Sequence, residues 1–443
     1  MRGLRQLGSS HYVYPAAKHT RWEHSLGVMH LAGQFINHLM LKKPGCADEV
    51  DRICVMLAGL CHDLGHGPFS HLWESFVNEA RDGYKWSHEK TSLDMLDFII
   101  NDNNLVPVFA QNGLTENDIT FVKEMIFGPF HQGSDKDGVW PYLGRGPDKF
   151  FLYEIVANKI SSIDVDKWDY MLRDNSALSI GITFDYRRFI LHSDIVEVEG
   201  RNRLCIRDKE AESVQEMFLD RVRLHRKGYQ HRTIKIIDRM VLDALLAADQ
   251  SLDLLHTESG QSLPLSSACE DILQFSKLSD DFLMRSIQFS SDPRLEKAKL
   301  ILNKIAKRQL YKLVGCVEYC GEIGIQLKVV EKELVKIIKE KKESEATNLQ
   351  EADLAIIRKR INMGMGNTNP VENVLFFDKK GRTSGFSSEQ LRQVMPREVN
   401  SEALMIVCRR DGIAVLEDAR EVFKKWAKNS FKDKKGLSFR IAE

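Results

Sequence analysis

The chain carries no net charge: 63 Lys and Arg stand against 63 Asp and Glu. A neutral chain is not a general polyanion binder, although a local cationic patch can still hold nucleotides. It has no apolar run approaching the roughly 18 residues of a membrane span. Its opening residues, Met1-Arg2-Gly3-Leu4-Arg5-Gln6, lack the apolar core of a signal peptide. Its eight cysteines are scattered and form no CxxC pair, which argues against a cysteine zinc site. Thinly spread thiols without a leader point to a reducing compartment, the cytosol or nucleus. Cys316 and Cys320 are four apart and could share a helix face, while the plainer reading of the eight cysteines is buried or idle reduced thiols. Neither an internal repeat nor a low-complexity block occurs. With 43% hydrophobic and 28% charged residues the chain is not mainly disordered. At 443 residues it has room for two or three domains, or one large domain with an appendage.

Histidine is the residue in surplus. Nine of the 14 fall in the first 88 positions: His11, His19, His24, His30, His38, His62, His66, His71 and His88. Clustering of this kind points to metal or acid–base chemistry in the N-terminal part.

The first half reads as helical. Leu26, Met29, Gly33, Ile36 and Met40 recur at helical spacing, and so do Val50, Ile53, Leu57 and Leu60 within 48–63. The second run stops at Leu64-Gly65-His66-Gly67-Pro68, which cannot continue a helix. Further helices are expected over 88–102, 116–127 and 151–174, a hairpin over Ile195–Asp208, and one long helix over 210–249. Shorter helical pieces fill 250–315. Beyond Gly315, Glu331–Glu345 reads as an amphipathic helix, Val374–Phe377 and Leu404–Cys408 as strands, and Val415–Lys428 as a helix. The expected fold is therefore mainly α, with a helical core over 1–315, a short β-hairpin, and a small α/β lobe over 316–443. The tail is rich in lysine: Lys424, Lys425, Lys428, Lys432, Lys434 and Lys435.

A lone His-Asp dipeptide carries little information, but His62-Asp63 closes an apolar helix and runs into a Gly-Pro turn holding His66 and His71. His24 stands at the start of an earlier helix and Asp166 on a later one. Two imidazoles and two carboxylates suit one divalent transition metal: iron, zinc or manganese. Such a metal can activate water and polarise a phosphoryl group. Asp166, Tyr170 and Asp174 are spaced i, i+4, i+8, and so are Arg221, His225 and Tyr229. Each set therefore shares a helix face.

The pattern His…His-Asp…Asp resembles the HD-domain superfamily of metal-dependent phosphohydrolases. Gln6-Leu7-Gly8, Arg21–Gly27, Leu60–His71, Ile163–Tyr170 with Arg173-Asp174, Leu224-His225-Arg226 and Tyr229-Gln230-His231 closely resemble the SAM- and HD-domain deoxynucleoside triphosphate triphosphohydrolases. The resemblance covers nearly the whole chain and weakens after about Gly315. It implies hydrolysis of a dNTP to a deoxynucleoside and inorganic triphosphate. It makes His24, His62, Asp63 and Asp166 the metal ligands and sets His66, His71 and His88 beside the α-phosphate. His71 would give a proton to the leaving 5′-oxygen, supported by Glu74 and His88; the family usually has Asp at the position of Glu74. Arg21, Lys167, Tyr170 and Arg221 would hold the triphosphate, and Gln6 and Asp174 would read the 3′-hydroxyl. Tyr229 would pack under the sugar and exclude a 2′-hydroxyl, with Leu7 also at the substrate and Gln230 near the base.

The same resemblance implies activation by GTP and a dNTP, bridged by magnesium at subunit interfaces, with assembly of a tetramer. Candidates for those sites are Arg2, Asp185, Arg188, Arg207, Lys209, His231, Arg232, Arg308 and Lys312. Arg232 stands where the family often has Lys, and Ser213 replaces a family Asn. Met1 aligns inside the family's catalytic core, so a SAM domain and most of the guanine-binding segment are expected to be absent, with Arg2 remaining. The family limits dNTP pools and is linked to antiviral restriction, genome maintenance and the nucleus. Two other readings stay open. A different HD phosphohydrolase, a nucleotidase or phosphodiesterase, would use His66, His71 and His88 for a second metal. A single-strand nucleic-acid binder or scaffold would use the interface cations and the lysine tail, and its binding would weaken steeply with salt.

Overall fold

The computed structural model describes residues 1–130, 140–257, 259–344, 347–386, 400–431 and 437–442. The helices of the first part are α1 (Arg21–Lys42), α2 (Glu49–Cys61), α3 (His71–Ala80), α4 (His88–Asp102), α5 (Val106–Gln111) and α6 (Glu116–Phe127). A 3₁₀ segment (Pro147–Glu154) precedes α7 (Val165–Leu178) and α8 (Tyr186–His192). The hairpin of β1 (Ser193–Val198) and β2 (Arg201–Arg207) follows, then α9 (Ala211–Leu224) and α10 (Arg232–Ala248). After the two-residue strands β3 (Leu255–His256) and β4 (Ser262–Leu263) come α11 (Ile272–Ser276), α12 (Asp280–Phe289) and α13 (Glu296–Ala306). The last part holds β5 (Lys312–Cys320), α14 (Leu327–Ser344), β6 (Leu354–Asn362), β7 (Phe376–Phe377), β8 (Thr383–Ser384), β9 (Asn400–Cys408), α15 (Ile413–Ser430) and β10 (Leu437–Ile441). The fold is mainly α with small sheets. None of the helices among the described residues is long and apolar enough to cross a membrane.

Four expectations need correction. The helix expected over 151–174 is two elements, because the 3₁₀ segment ends at Glu154 and the chain runs irregularly from Ile155 to Asp164 before α7 begins. The single helix expected over 210–249 breaks at a π turn, His225–Tyr229, where Gln230 N–H donates to the His225 carbonyl at 2.8 Å. Helical periodicity runs straight across such a turn, so spacing alone does not reveal it. Cys316 and Cys320 lie on strand β5, not on a helix. Finally, β7 does not join the lobe's sheet: it pairs in parallel with β2, Ile206 opposite Phe376 and Arg207 opposite Phe377. Of the lysine tail, Lys432, Lys434 and Lys435 lie outside the described residues.

Packing follows from the apolar patterns. One core gathers α1, α2, α6, α7 and α9 around Phe35, Phe121, Phe151, Trp168 and Phe218. The lobe's sheet, ordered β10-β5-β9-β6, is covered on both faces. Met405 and Val407 of β9 pack toward α10 and α13, while Leu404, Ile406 and Cys408 pack toward α14 and α15. Successive residues of a strand point to opposite faces, which is why β9 reads as an unbroken apolar run rather than an alternating one. We propose 1–315 and 316–443 as the two parts of the chain, tied by a strap: Met363, Val371, Val374 and Phe376 are buried in the first core.

Gly315 lets sheet and helix approach closely, since a Cβ there would run into the Phe423 ring of α15. Overpacking of this kind costs about 1–3 kcal/mol. Gly315→Ala is therefore expected to lower the midpoint of lobe unfolding in denaturant; an unchanged midpoint would contradict the packing.

Candidate active site

Three helix ends converge. Thr20 caps α1, its N–H donating to Glu23 at 2.6 Å, and sets His24 in the first turn. His62 is the C-terminal cap of α2, with Asp63 next to it. Asp164 caps α7, accepting from Lys167 N–H at 3.0 Å, which puts Asp166 in that helix's first turn.

The outward nitrogens of both histidines are fixed. His24 Nδ1 lies 2.7 Å from Asp169, and Asp169 is held by Arg173 through two contacts of 2.8 Å. A Cβ at Gly27 would collide with the Asp169 carboxylate, so the glycine is what lets α7 lie this close to α1. His62 Nδ1 faces the Gly59 carbonyl at 2.8 Å. With a proton on each Nδ1, both Nε2 lone pairs point inward. His24 Nε2 lies 3.1 Å from Asp166 and 3.6 Å from Asp63. His62 Nε2 lies 3.4 Å from Asp166 and 3.5 Å from Asp63, buried and without a hydrogen bond. Lone pairs aimed at carboxylate oxygens repel unless a cation sits between them.

The electrostatics show the same demand. Burial works against a charge on His24, yet hydrogen bonds to Asp166 and Asp169 and the charges of Asp166 and Asp63 raise its pKa to about 10. Burial likewise opposes charging of His62, and the Asp63 carboxylate raises its pKa. Burial alone would raise Asp63, but His62, Arg21 and His66 hold it well below the usual carboxylate range. The ligand atoms of His24, His62 and Asp166 lie within 4.8 Å of one another. A buried orphan nitrogen, converging lone pairs and a mixed N/O donor set fit a divalent metal.

Above this centre, Arg21 is buried and bridges Asp63 and Ser70. His66 stacks on His88 with centroids 4.0 Å apart, and His71 stands edge-on to both at 5.1 and 5.5 Å. Burial first, then the Arg21 and His88 charges, lower the pKa of His71 to about 4. Glu74 lies 3.6 Å from His88 Nδ1. The turn feeding His71 is strained: Phe69 and Ser70 both have a φ of 59°. Asp280, at the start of α12, accepts from Phe69 N–H at 2.8 Å and from Arg5 N–H at 3.0 Å. Ser70 Oγ donates to the Arg5 carbonyl at 2.8 Å.

A cavity of about 580 Å³ opens over these groups. Of the residues expected there from sequence, Gln6, Leu7, Arg21, His24, Asp63, His66, His71, His88, Asp166, Tyr170, Asp174, Arg221, Tyr229 and Gln230 line it. His62 lies beneath the wall. Glu74 is behind His88, and Lys167 turns to Asp164 at 3.1 Å. Arg221 donates to Tyr170 Oη at 3.0 Å and to the Asn362 carbonyl of β6. Tyr229 Oη donates to Asp174 at 2.6 Å, whose other oxygen is 2.7 Å from His19.

The expected interface residues line none of this cavity. Arg188 pairs with Glu210 at 2.7 Å, Arg207 with Asp208 at 3.3 Å, and Asp185 caps α8 by accepting from Arg187 N–H; Lys209 is exposed beside them. His231 caps α10 and Arg308 donates to the Tyr12 carbonyl at 2.8 Å, while Arg232 and Lys312 are exposed. Arg2 lies over the Trp22 ring at 4.9 Å. Ser213 Oγ donates to Glu210 at 3.0 Å. Sequence reasoning missed Asp169, His19 and Asp280. Asp169 carried one signal, its i+3 spacing from Asp166.

Residues 21–108 match the HD domain family. The chain is 40% identical over 432 residues to deoxynucleoside triphosphate triphosphohydrolase SAMHD1 of Homo sapiens, covering 96% of this chain and 68% of that protein. It is 38% identical to the protein of the same name in Danio rerio, covering 96% and 69%. It is 31% identical to the SAMHD1 homolog of Dictyostelium discoideum, covering 97% and 75%.

Proposed function

Because the chain belongs to the SAMHD1 family of deoxynucleoside triphosphate triphosphohydrolases, we propose that it hydrolyses dNTPs to deoxynucleoside and inorganic triphosphate. The observation that carries this reading is the donor set of His24, His62, Asp63 and Asp166 under a cavity walled by three histidines and by Arg21 and Arg221. Those four residues would hold one divalent metal, iron, zinc or manganese, which when bound polarises phosphoryl oxygens and lowers the pKa of water.

The chain's own groups do the rest. Arg21 and Arg221 bind triphosphate oxygens, with Tyr170 beside Arg221 and Lys167 behind it. His66 and His88 face the α-phosphate. Water adds to the α-phosphorus, the bond to the 5′-oxygen breaks, and His71 delivers a proton to that oxygen as it leaves. Without the proton the leaving group is an alkoxide. Burial and the Arg21 and His88 charges hold His71 uncharged at neutral pH, and anionic phosphates bring its pKa up. Glu74 steadies His88. Gln6 and Asp174 take the 3′-hydroxyl, while Leu7 and Gln230 lie toward the base.

Tyr229, tied to Asp174, packs where a 2′-hydroxyl would project. Tyr229→Ala is expected to raise kcat/KM for GTP relative to dGTP by about 10-fold, the scale of discrimination by pocket shape. An unchanged ratio would remove Tyr229 from sugar selection.

Activation belongs to the same proposal: GTP and a dNTP with magnesium, held at subunit contacts by Arg2, Asp185, Arg188, Arg207, Lys209, His231, Arg232, Arg308 and Lys312, assemble a tetramer. The biological consequence would be limitation of dNTP pools, with a part in antiviral defence, in the nucleus or cytosol. The test is a product assay with dGTP, then GTP plus dATP. Deoxynucleoside and triphosphate in equal amounts are expected. Monophosphate or free phosphate would point instead to a nucleotidase or phosphodiesterase, the reading in which the three cavity histidines hold a second catalytic metal.

A further inference from the structure

Gln6 and Asp174, the two groups given to the 3′-hydroxyl, line the cavity from different parts of the chain. One residue behind the wall holds both. Its main chain holds the first: residues 4–6 lie alongside 19–21, with Arg5 bridged to Thr20 and Arg21 N–H donating to the Leu4 carbonyl at 2.9 Å. Gln6 N–H donates to the His19 carbonyl at 3.0 Å. The side chain of His19 holds the second, its Nε2 lying 2.7 Å from Asp174 Oδ1. A carboxylate only accepts, so Nε2 carries the proton. The side chains are 10% and 2% exposed, so this short contact to a charged acceptor is sheltered from water. Asp174 Oδ2 accepts from Tyr229, and a carboxylate's remaining lone pairs leave room for a third donor. Gln6 is buried and its Oε1 makes no hydrogen bond. A hydroxyl between the two has a partner on each side: Asp174 accepts its proton, and the Gln6 carboxamide meets its oxygen.

We propose that His19 is a positioning residue for substrate choice, fixing Gln6 through its carbonyl and Asp174 through its imidazole so that only a sugar with a 3′-hydroxyl satisfies both. The proposal rests on the triphosphohydrolase reading for the place of the sugar. Without the imidazole, Asp174 keeps Tyr229 but loses the contact that fixes the rotation of its carboxylate. A nucleotide lacking the 3′-hydroxyl gains nothing from a well-placed Asp174, so its turnover is the less sensitive to His19. The loss therefore falls on discrimination, not on rate alone.

The test is a competition. dGTP and 2′,3′-dideoxy-GTP are supplied at equal concentration in one reaction, and the two nucleosides released early are measured. Their ratio is the ratio of kcat/KM, whatever fraction of the chains is folded, metal-loaded or activated. The unaltered chain is expected to favour dGTP by about 100-fold, the scale of a hydrogen bond to a charged group. In His19→Asn the amide nitrogen stands where Nδ1 was and falls short of Asp174, and the preference should shrink by about 10-fold, within what a misplaced group costs. In His19→Gln the amide nitrogen takes the place of Nε2, and most of the preference should return. A ratio unchanged by His19→Asn, or lowered equally by both variants, would overturn the proposal, and so would an unaltered chain with no preference. No triphosphate from the unaltered chain would instead sink the functional reading. Equilibrium dialysis of the same mixture against the metal-free chain then reads the ratio as bound nucleotide, and the same comparison of variants decides the role of His19.

Discussion

Asp63→Ala is expected to cut triphosphate release by at least about 1000-fold, some 4 kcal/mol of transition-state stabilisation. Few side chains in the molecule have so many partners at once. Asp63 takes a charged hydrogen bond from Arg21 and lies 3.4–3.6 Å from His24, His62 and His66. Removing it strips a candidate metal ligand, releases Arg21 from its fixed position over the cavity and leaves that guanidinium buried without its carboxylate. Loss of bound metal should accompany loss of activity, read by elemental analysis on the same sample. Asp169→Asn gives the contrast. It keeps every direct ligand but weakens the partner of His24 Nδ1, and outer-shell changes of that kind cost about 10–100-fold in metal affinity. An Asp63→Ala chain that keeps its metal and more than a tenth of its turnover would dissolve the assignment.

The second large effect is expected at a residue outside the metal donor set. Asp280→Ala should lower kcat by about 10- to 100-fold with metal content unchanged, since misplacement by about 1 Å can cost 100-fold. Phe69 and Ser70 sit in the left-handed region, which costs side-chain-bearing residues about 1–3 kcal/mol each. Something must hold them there. Asp280 does so from α12, fixing Phe69 N–H and Arg5 N–H with its two oxygens, while its own N–H reaches the Gly3 carbonyl at 3.4 Å. The segment carrying Gln6 and the turn that launches His71 are thus pinned to one carboxylate. Asp280→Asn keeps an acceptor oxygen and should recover part of the rate. Equal losses from Asn and Ala, or loss of metal, would show that Asp280 supports the fold rather than the position of His71.

Metal candidates were legible because each stands at a helix boundary that local chemistry announces: Thr20 with Glu23, the Gly65–Pro68 stop, and Asp164. Their supports were not. Asp169 matters only because α7 packs on α1 across Gly27, and Asp280 acts across 211 residues of sequence. Nothing local marks either contact. The π turn at His225–Tyr229 escaped for a different reason. Apolar spacing on both sides is helical, yet the wider turn leaves Arg221, His225 and Tyr229 all on the cavity wall.

The strap has a consequence for how the molecule is made. Arg221 is tethered to the backbone of Asn362, and β2 finds its partner β7 only at Phe376. A nascent chain that has reached residue 320 already carries His24, His62, Asp63 and Asp166, but not the wall behind Arg221. Pairings this distant in sequence form late and slowly. The ribosome must therefore deliver the chain through Phe376 before the cleft can close, and until then its histidines stand open to whatever cation the cell supplies.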